Sequence, residues 1–390
     1  MTTDDLTRFL AKPEAPSAGA VQAYAPTSYI NVTELKVDGE VMVPAGTPAN
    51  KGTALRFLES EGLTPDEWEA THFRKIEYNG ATSVKFSYKR VARLDPNRVP
   101  IDELIARVDH RGRNTPYSSM NPFAKHGWFG LLSDNQFGKG DGDGTAGSLD
   151  RTLRYIDEAR VELDLQRKIR DIRTVVLAGM GDHIEGFVSQ GGANAWRTGL
   201  TLMEQTRLIR RIWLHILDTF ADSSDEIIAL AVPGNHGDTV RFQGKGVTKY
   251  DDSHDTEALL AAADAVSFNP GRFGHIKFLV PQTDEIAVAV DAAGTRLTFS
   301  HGHYHRPGQH WSWIDSQSVD EGPLQGSNIH FEGHGHHSVV EERGNRTYVM
   351  APATESESSW FKHGRGVRGN PGMMTGVFGD KRLISTRIVR

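Results

Sequence analysis

The chain has 390 residues, of which 38% are hydrophobic and 24% are charged, and this globular composition excludes a wholly disordered or collagen-like protein. It contains no cysteine, so disulfides, thiolate nucleophiles and cysteine zinc sites are excluded, and a transition-metal site must use histidine, carboxylate and amide ligands. The net charge of −6 argues against a non-specific coat for nucleic acid.

Charge is unevenly distributed along the chain. Residues 72–113 carry ten Lys/Arg against five Asp/Glu, and residues 361–390 carry seven against one, so the rest of the chain is acidic. This layout favours a metal-holding centre between surfaces that meet an anionic substrate, although scattered surface charge gives the same totals. No apolar run reaches the about 18 residues that span a bilayer, and no secretory signal is visible. We therefore expect a cytoplasmic protein, in the host cytoplasm if viral, without a membrane partner.

The N-terminal part of the chain divides into an arm and a small module. Residues 1–30 are rich in Ala, Pro, Ser and Thr without periodicity, which predicts a flexible arm. Residues 31–122 are predicted to form a small α+β module. Its predicted elements are a helix at 50–61, a second helix opened by a capping box at 64–67, and strands at 72–78 and 82–91 around an Asn79-Gly80 turn.

The predicted hairpin of this module is basic, with Lys85, Lys89, Arg90 and Arg93. Two short helices before a basic hairpin fit a winged-helix-like nucleic-acid module. A small α+β packing domain produces the same pattern, so both interpretations stay open.

Residues 123–390 alternate strands with helices, which predicts a single α/β domain with covered sheets. The predicted strands are 127–132, 174–178, 227–232, 286–290, 296–300 and 348–350, and the predicted helices are 149–172, 196–220 and 256–266. In such domains functional groups gather in loops at the carboxyl ends of strands.

Polar motifs follow these strands. The first three strands are followed by Ser133-Asp134-Asn135-Gln136, by Gly181-Asp182-His183 and by Gly234-Asn235-His236; later come His301 and Gly333-His334-Gly335-His336. Eight of the 17 histidines lie in residues 301–337, a density that core packing does not require. A pair of divalent cations about 3.5–4 Å apart needs a bridging carboxylate with neutral nitrogen and oxygen ligands on each side. The motifs supply these ligand types, so a metal centre is expected.

The order of these five motifs resembles the calcineurin-like metallophosphoesterase superfamily, including its Mre11/SbcD-type nucleases and the metallophosphoesterases of tailed bacteriophages. The resemblance covers about residues 125–355. It implies an α/β fold of two sheets in a sandwich flanked by helices, with a dinuclear site between the sheet ends. The predicted fold class is therefore this sandwich together with the small N-terminal α+β module.

The resemblance also implies a role for each motif residue. Asp134 and Gln136 would bind the first ion together with His336, Asp182 would bridge, and the second ion would be bound by Asn235, His301 and His334. His236 would lie beside the scissile phosphate, where it stabilises charge and protonates the leaving oxygen.

Two positions depart from the family pattern. Gln136 stands where the family usually has histidine, and Gly237 stands where it has an acidic residue, which comes one position later as Asp238. A glutamine oxygen binds divalent ions more weakly than imidazole and favours oxygen-loving metals. Two divalent ions are expected, with manganese favoured over iron, zinc or magnesium.

A second stretch, Gly302-His303-Tyr304-His305, also fits the Gly-His-x-His pattern. We favour 333–336, because His301 then fills the isolated-histidine motif. His303, His305, His310 and His330 are then expected to serve in supporting hydrogen bonds or in a solvated loop. Trp311 and Trp313 either stack nucleobases or form the core of the insertion that carries them.

The function implied by the resemblance is dinuclear-metal hydrolysis of phosphodiesters, with DNA as the favoured substrate. Relatives of the Mre11 kind often form homodimers. Two other interpretations stay open: hydrolysis of phosphomonoesters or phosphoproteins by the same centre, and nucleic-acid binding by a protein whose metal site has decayed, with Gln136 as the trace.

Overall fold

A computed structural model describes residues 28–33, 36–44, 51–78, 81–90, 99–109, 125–188, 192, 198–242, 245–246, 248–319, 321–356, 362, 366 and 369–390. They belong to two compact units, Met1–Arg93 and Leu94–Arg390, which are considered separately. The arm predicted at 1–30 lies outside the described residues except for its last three positions.

The smaller unit is built on a four-stranded antiparallel sheet. Its strands are β1 (Tyr29–Val32), β2 (Lys36–Val43), β3 (Trp68–Tyr78) and β4 (Ala81–Arg90), in the order β1-β2-β4-β3. Helix α1 (Lys51–Ser60) adds Phe57 and Leu58 to a core formed with Val84, Phe86 and Tyr88. The first predicted helix and the predicted hairpin are thus confirmed.

The second predicted helix of this unit is wrong. After a single 3₁₀ turn at Pro65–Glu67 the chain continues directly as β3, and the Thr64 side chain makes no capping hydrogen bond. Strand β3 pairs with β4 from Trp68 to Tyr78. This pairing satisfies a whole row of backbone groups, so it outweighs a local capping signal. The described residues of this unit therefore lack the helical pair that a winged-helix-like module requires.

The larger unit contains the remaining elements. Its strands are β5 (His126–Leu132), β6 (Ile172–Gly179), β7 (Glu226–Ala231), β8 (Arg241–Phe242), β9 (Lys245–Gly246), β10 (Ile276–Leu279), β11 (Val288–Ala292), β12 (Thr295–Phe299), β13 (Ile329–Glu332), β14 (Val339–Arg343), β15 (Arg346–Met350), β16 (Met373–Gly379) and β17 (Arg382–Val389). Its helices are α2 (Ile101–Asp109), α3 (Gly144–Arg167), α4 (Leu202–Phe220), α5 (His254–Ser267), α6 (Pro270–Phe273) and α7 (His310–Ser316).

Two sheets pack face to face in this unit. The first has the order β10-β7-β6-β5-β16-β17, with β5, β6, β7 and β10 parallel, and the second has the order β11-β12-β13-β15-β14. Phe129 and Leu230 of the first sheet share a core with Phe299 and Phe331 of the second. The opposite face of the first sheet is covered by α3, α4 and α5. The predicted α/β fold, a two-sheet sandwich flanked by helices, is confirmed.

Helix α2 packs in the larger unit, although the sequence analysis assigned its residues to the module at 31–122. Leu104 and Val108 lie in the same core as α3 and α4, and Arg107 lies 3.1 Å from Asp150 of α3. The apolar face of α2 needs cover, and the larger unit provides it. None of the described helices is long and apolar enough to cross a membrane.

Candidate metal centre

The loops that follow β5, β6, β7, β12 and β13 meet at one end of the sandwich. Backbone hydrogen bonds join the first two loops, with the Asp134 N–H donating to Gly181 O (3.2 Å) and the Gln136 N–H donating to Asp182 O (3.0 Å). The Gly333 N–H donates to His301 O (3.0 Å), which joins the loops of the second sheet. Because these strands are parallel within each sheet, their carboxyl ends deliver polar residues to the same place.

The backbone of this site is unusual. Five of the seven predicted ligand residues have a positive φ of 45° to 60°, a region that side chains rarely adopt; they are Asp134, Gln136, Asp182, His334 and His336. Residues in such conformations cluster at functional sites, where the surrounding structure holds them in place. Half of the ten described non-glycine residues with positive φ are thus predicted ligands.

Glycines allow these loops to approach one another. Gly181 has φ 86°, and a Cβ at this position would lie 2.8 Å from His301 Nδ1. A Cβ at Gly234 would overlap the Asp182 carboxylate. The glycine of the Gly-Asn-His motif is thus required because the backbone of one loop passes directly over the carboxylate of another.

Asp182, His301 and His334 form the tightest cluster of the site. One ligand atom from each lies within 4.8 Å of the other two, and His301 Nε2 is 3.1 Å from Asp182 Oδ2. Asp182 and His301 are each 1% exposed. Burial lowers the pKa of His334 to about 4, so its imidazole is neutral, as a metal ligand must be.

Two buried atoms of this cluster lack a hydrogen-bond partner within the described part of the chain. They are His301 Nε2 and Asn235 Oδ1. The other ring nitrogen of His301 donates to Met180 O (2.6 Å), which turns Nε2 toward Asp182. Buried polar groups are normally paired, so unpaired acceptors that converge on a carboxylate fit a bound cation. Asp182, Asn235, His301 and His334 therefore suit a divalent ion.

A second group of predicted ligands lies around Asp134. His336 Nε2 is 3.2 Å from Asp134 Oδ1, and its Nδ1 is 2.8 Å from Glu355 Oε1. Asp134 is fully buried and also accepts the His334 backbone N–H (3.0 Å). Burial acts to raise the pKa of Asp134, but the charge of His336 outweighs it and holds that pKa at about 2.

Gln136 lies at this second group, but its amide oxygen is engaged. Lys139 Nζ donates to Gln136 Oε1 at 2.7 Å and also forms an ion pair with Glu355. The side chains of Lys139 and Glu355 are 13% and 6% exposed. Gln136 thus lies in the second group of predicted ligands, but its amide oxygen is paired with the Lys139 ammonium.

His236 is beside the cluster. Its backbone N–H donates to Asp182 Oδ1 (2.7 Å), and its Nδ1 donates to Glu185 O (2.9 Å). Its Nε2 is 3.9 Å from Asp182 Oδ2. Burial alone would lower the pKa of His236, but the charges of Asp182 and Glu185 raise it. Asp238, the acidic residue that follows Gly237, pairs with Arg241 (3.1 Å).

Sequence reasoning missed three supporting residues, because no motif marks them. The Asp255 carboxylate accepts backbone N–H groups of Asp182 (3.0 Å), His183 (2.9 Å) and Gly234 (2.9 Å), and so joins the loops after β6 and β7. Glu185 is 5% exposed beside His236, and burial raises its pKa to about 7. Glu355 links His336 to Lys139.

The histidines without an assigned role divide into two kinds. The His303 ring lies 5.4 Å from that of His301 and 6.2 Å from that of His334, so His303 borders the cluster. His305 and His330 bind Glu332, and His310 binds Glu341. The clustering of His334 with Asp182 agrees with the motif assignment at 333–336.

The two tryptophans of the insertion pack against the second sheet. Trp311 and Trp313 contact the core cluster of Ile314, Leu324 and Tyr348. The Trp311 indole N–H donates to Glu341 Oε1 (2.7 Å). They therefore serve as insertion core, the second of the two interpretations.

No protein-family model and no curated protein matches the sequence. Among solved structures, the chain is similar to an archaeal phosphodiesterase, with 13% identity, TM-score 0.30 and coverage of 67% of this chain and 99% of that one. It is also similar to a predicted phosphoesterase from Streptococcus pneumoniae (10% identity, TM-score 0.27, coverage 67% and 86%).

A third similar structure is vacuolar protein sorting 29 from Cryptosporidium parvum, with 12% identity, TM-score 0.31 and coverage of 68% and 97%. Likeness at this level concerns the fold alone.

Proposed function

We propose that this chain is a metal-dependent phosphoester hydrolase that acts on phosphodiesters, with a nucleic acid as its substrate. One observation carries the proposal: three separate loops bring ligand atoms of Asp182, His301 and His334 within 4.8 Å of one another in a buried site. Across the described residues, no other three histidine or acidic side chains meet this condition. Such convergence is costly to build and is typical of a catalytic metal centre.

The residues of the centre hold and orient the ion. Asp182, Asn235, His301 and His334 would bind it, and the backbone carbonyl of Met180 keeps His301 Nε2 directed inward. A divalent ion bound there supplies Lewis-acid chemistry, which lowers the pKa of water and neutralises charge on phosphoryl oxygens. The mixture of imidazole and oxygen ligands suits manganese, iron or zinc, and the amide oxygens favour manganese.

His236 acts on the substrate side. Its Nδ1 donates to the Glu185 carbonyl, so the ring is fixed and Nε2 points toward the centre. A phosphate placed on the centre would receive a hydrogen bond from Nε2, which stabilises the negative charge that develops during displacement. The same proton can pass to the leaving oxygen.

An open cleft adjoins the centre at His303. Its volume is about 490 Å³, and its lining includes Tyr304, His305 and Arg306. Aromatic faces and an arginine are the groups that bind bases and phosphates of a single strand. The cleft therefore supports a nucleotide-containing phosphodiester over a phosphoprotein.

The basic hairpin of the small unit gives weaker support to nucleic-acid binding. Lys89 lies 3.0 Å from Glu69, and Arg90 lies 3.2 Å from Glu67, so part of the positive charge is neutralised within the sheet. Arg93 lies outside the described residues. We therefore place the substrate contact at the cleft of the larger unit.

The test is hydrolysis by the full chain of a bis(nitrophenyl) phosphate, of nitrophenyl phosphate, and of single- and double-stranded DNA. Each is measured with Mn²⁺, with Mg²⁺ and with a chelator. We expect the bis-ester and DNA to be cleaved with Mn²⁺, the mono-ester to be cleaved more slowly, and the chelator to abolish all three activities.

Three results would contradict the proposal. Activity that survives the chelator would refute metal dependence, and faster hydrolysis of the mono-ester would favour a phosphomonoesterase. DNA binding without hydrolysis, unchanged in Asp182→Asn, would indicate a decayed centre. The rate on DNA should also fall steeply with salt, because phosphate contacts release counterions, and a flat response would favour a small substrate.

A further inference from the structure

The two halves of the centre differ in what their ligands contact. Buried atoms without a hydrogen-bond partner among the described residues occur in both halves, at His301 Nε2 and Asn235 Oδ1 in the half formed by Asp182, Asn235, His301 and His334, and at Asp134 Oδ1 in the other. In the half formed by Asp134, Gln136 and His336, the residue at position 136 is a glutamine instead of a histidine. Its amide oxygen already accepts a hydrogen bond from Lys139. We infer that the centre binds one divalent ion tightly in the first half, and that the Lys139 ammonium takes the place of a second ion in the other half.

This inference rests on the proposed function and concerns the number of ions at the same site. It departs from the dinuclear centre that the motif resemblance implies, and the reason lies in the described side chains. Gln136 offers a single oxygen, and that oxygen lies 2.7 Å from Lys139 Nζ. An amide oxygen polarised by an ammonium is a poorer ligand for a divalent cation.

The local backbone directs Lys139 to this position. The Lys139 N–H donates to Gln136 O (3.0 Å), which closes a tight turn of four residues. Gly138, within the turn, has φ 107°, and a Cβ there would overlap Gln205. The Gly138 N–H donates to Thr145 Oγ1 (2.8 Å). Contacts with α3, through Thr145, and with α4, through Gln205, thus fix the turn. The turn places the Lys139 side chain next to that of Gln136.

Charge balance supports a resident cation here. The Asp134 and Glu355 carboxylates are 0% and 7% exposed, and burying them requires positive charge nearby. His336 lies between them, 3.2 Å from Asp134 and 2.8 Å from Glu355, and Lys139 pairs with the second Glu355 oxygen. The Lys139 ammonium compensates Glu355, the carboxylate with which it pairs. A divalent ion added to this half would be repelled by the ammonium in a poorly solvated pocket.

The charge of the ammonium is felt at the reacting side of the centre. The positive charge of Lys139 acts to lower the pKa of both His236 and Glu185. An ammonium has three N–H donors, and Gln136 and Glu355 account for two of them in the described structure. The third donor is therefore suited to a phosphoryl oxygen, which is the charge-neutralising role that a second ion would serve.

The experiment counts ions. Wild type, Lys139→Met, Lys139→Arg and the double variant Gln136→His/Lys139→Met are dialysed against Mn²⁺, and bound manganese is measured by elemental analysis and calorimetric titration. Electron paramagnetic resonance distinguishes an isolated Mn²⁺ from an exchange-coupled pair. Lys277→Met is the matched control, because Lys277 is 66% exposed and pairs only loosely with Glu226 at 3.6 Å.

We expect one tightly bound ion with an uncoupled spectrum in wild type, in Lys139→Arg and in Lys277→Met. We expect two ions with a coupled spectrum in the double variant, and a weaker second site in Lys139→Met. Circular dichroism melting identifies variants that fail to fold. If the variants that remove the Lys139 charge do not fold, Lys139→Arg still tests the inference, because it keeps the positive charge and should bind a single ion.

Two tight ions in wild type would overturn the inference but leave the proposed hydrolase intact. A double variant that still binds a single ion would also overturn it, because Lys139 and Gln136 would then not decide the stoichiometry. Absence of any tight ion from every variant would overturn the proposed function itself.

Discussion

Two buried clusters in the larger unit combine one carboxylate with two histidines, and they serve different purposes. In the first cluster Asp182 meets His301 and His334; in the second, Glu332 meets His305 and His330. Both carboxylates are 1% exposed. Composition alone would give both the same interpretation.

Hydrogen bonding separates the two clusters. Glu332 accepts from Tyr348 Oη (2.7 Å), His305 Nε2 (2.9 Å), His330 Nε2 (3.0 Å) and Ser300 Oγ (3.2 Å). Burial acts to raise the pKa of Glu332, but the hydrogen bonds and charges of His305 and His330 hold it far below its usual range. The Glu332 cluster is a closed network within the protein, whereas the Asp182 cluster leaves His301 Nε2 and Asn235 Oδ1 without partners among the described residues. Of these two clusters, only the Asp182 cluster therefore has buried donor atoms that are available to a metal ion.

Asp182→Asn should produce the largest effect. The neutral amide removes the charge that balances a cation, so we expect loss of bound Mn²⁺ and a fall in phosphodiesterase kcat/KM of at least about 10³-fold, or about 4 kcal/mol. Elemental analysis and bis-ester kinetics measure the two quantities. If Asp182→Asn keeps both its bound Mn²⁺ and its phosphodiesterase activity, the ion is bound elsewhere, and the Asp182 cluster is not the metal site.

His236→Ala tests the reacting side of the first cluster without removing a proposed ligand. We expect kcat to fall by about 10²-fold while the bound metal is unchanged, because the residue contacts substrate and not the ion. The matched control is His72→Ala, an exposed histidine of the small unit. Equal cleavage by wild type and His236→Ala would exclude His236 from the mechanism.

Glu332→Gln tests the second cluster. A glutamine keeps one acceptor oxygen and replaces the other with an amide donor, so it cannot accept from His305, His330 and Tyr348 together, and we expect a loss of about 2–4 kcal/mol in the free energy of unfolding. Bound metal per folded chain should stay at the wild-type level. Loss of the ion with little change in the melting temperature would show that the two clusters are one functional unit.

Tyr348→Phe should produce the smallest effect. It removes one donor to Glu332, which keeps three others, so we expect a loss of about 1 kcal/mol with activity unchanged. Thermal melting together with bis-ester kinetics measures both. A destabilisation as large as that of Glu332→Gln would mean that the network depends on the tyrosine rather than on the carboxylate.

Sequence patterns were informative about the elements that precede each motif. The apolar runs that became β5, β6 and β7 and the polar residues directly after them are local features, and parallel strands bring such loops to one edge. The prediction of a second helix in the small unit was wrong, because pairing between β3 and β4 outweighs the local capping signal. The supporting residues Asp255 and Glu355 could not be recognised, since no spacing marks them.

Hydrophobic periodicity, turn residues and ligand types were determined by the sequence itself, because each depends on residues close together in the chain. Only the tertiary structure decided which polar atoms are left unpaired. Lys139 reaches Glu355 across 216 positions, and His301 reaches the Met180 carbonyl across 121. Contacts at such distances depend on how the two sheets pack. For that reason the pairing of Lys139 with Glu355, and the closure of the Glu332 network, emerge only in the folded chain.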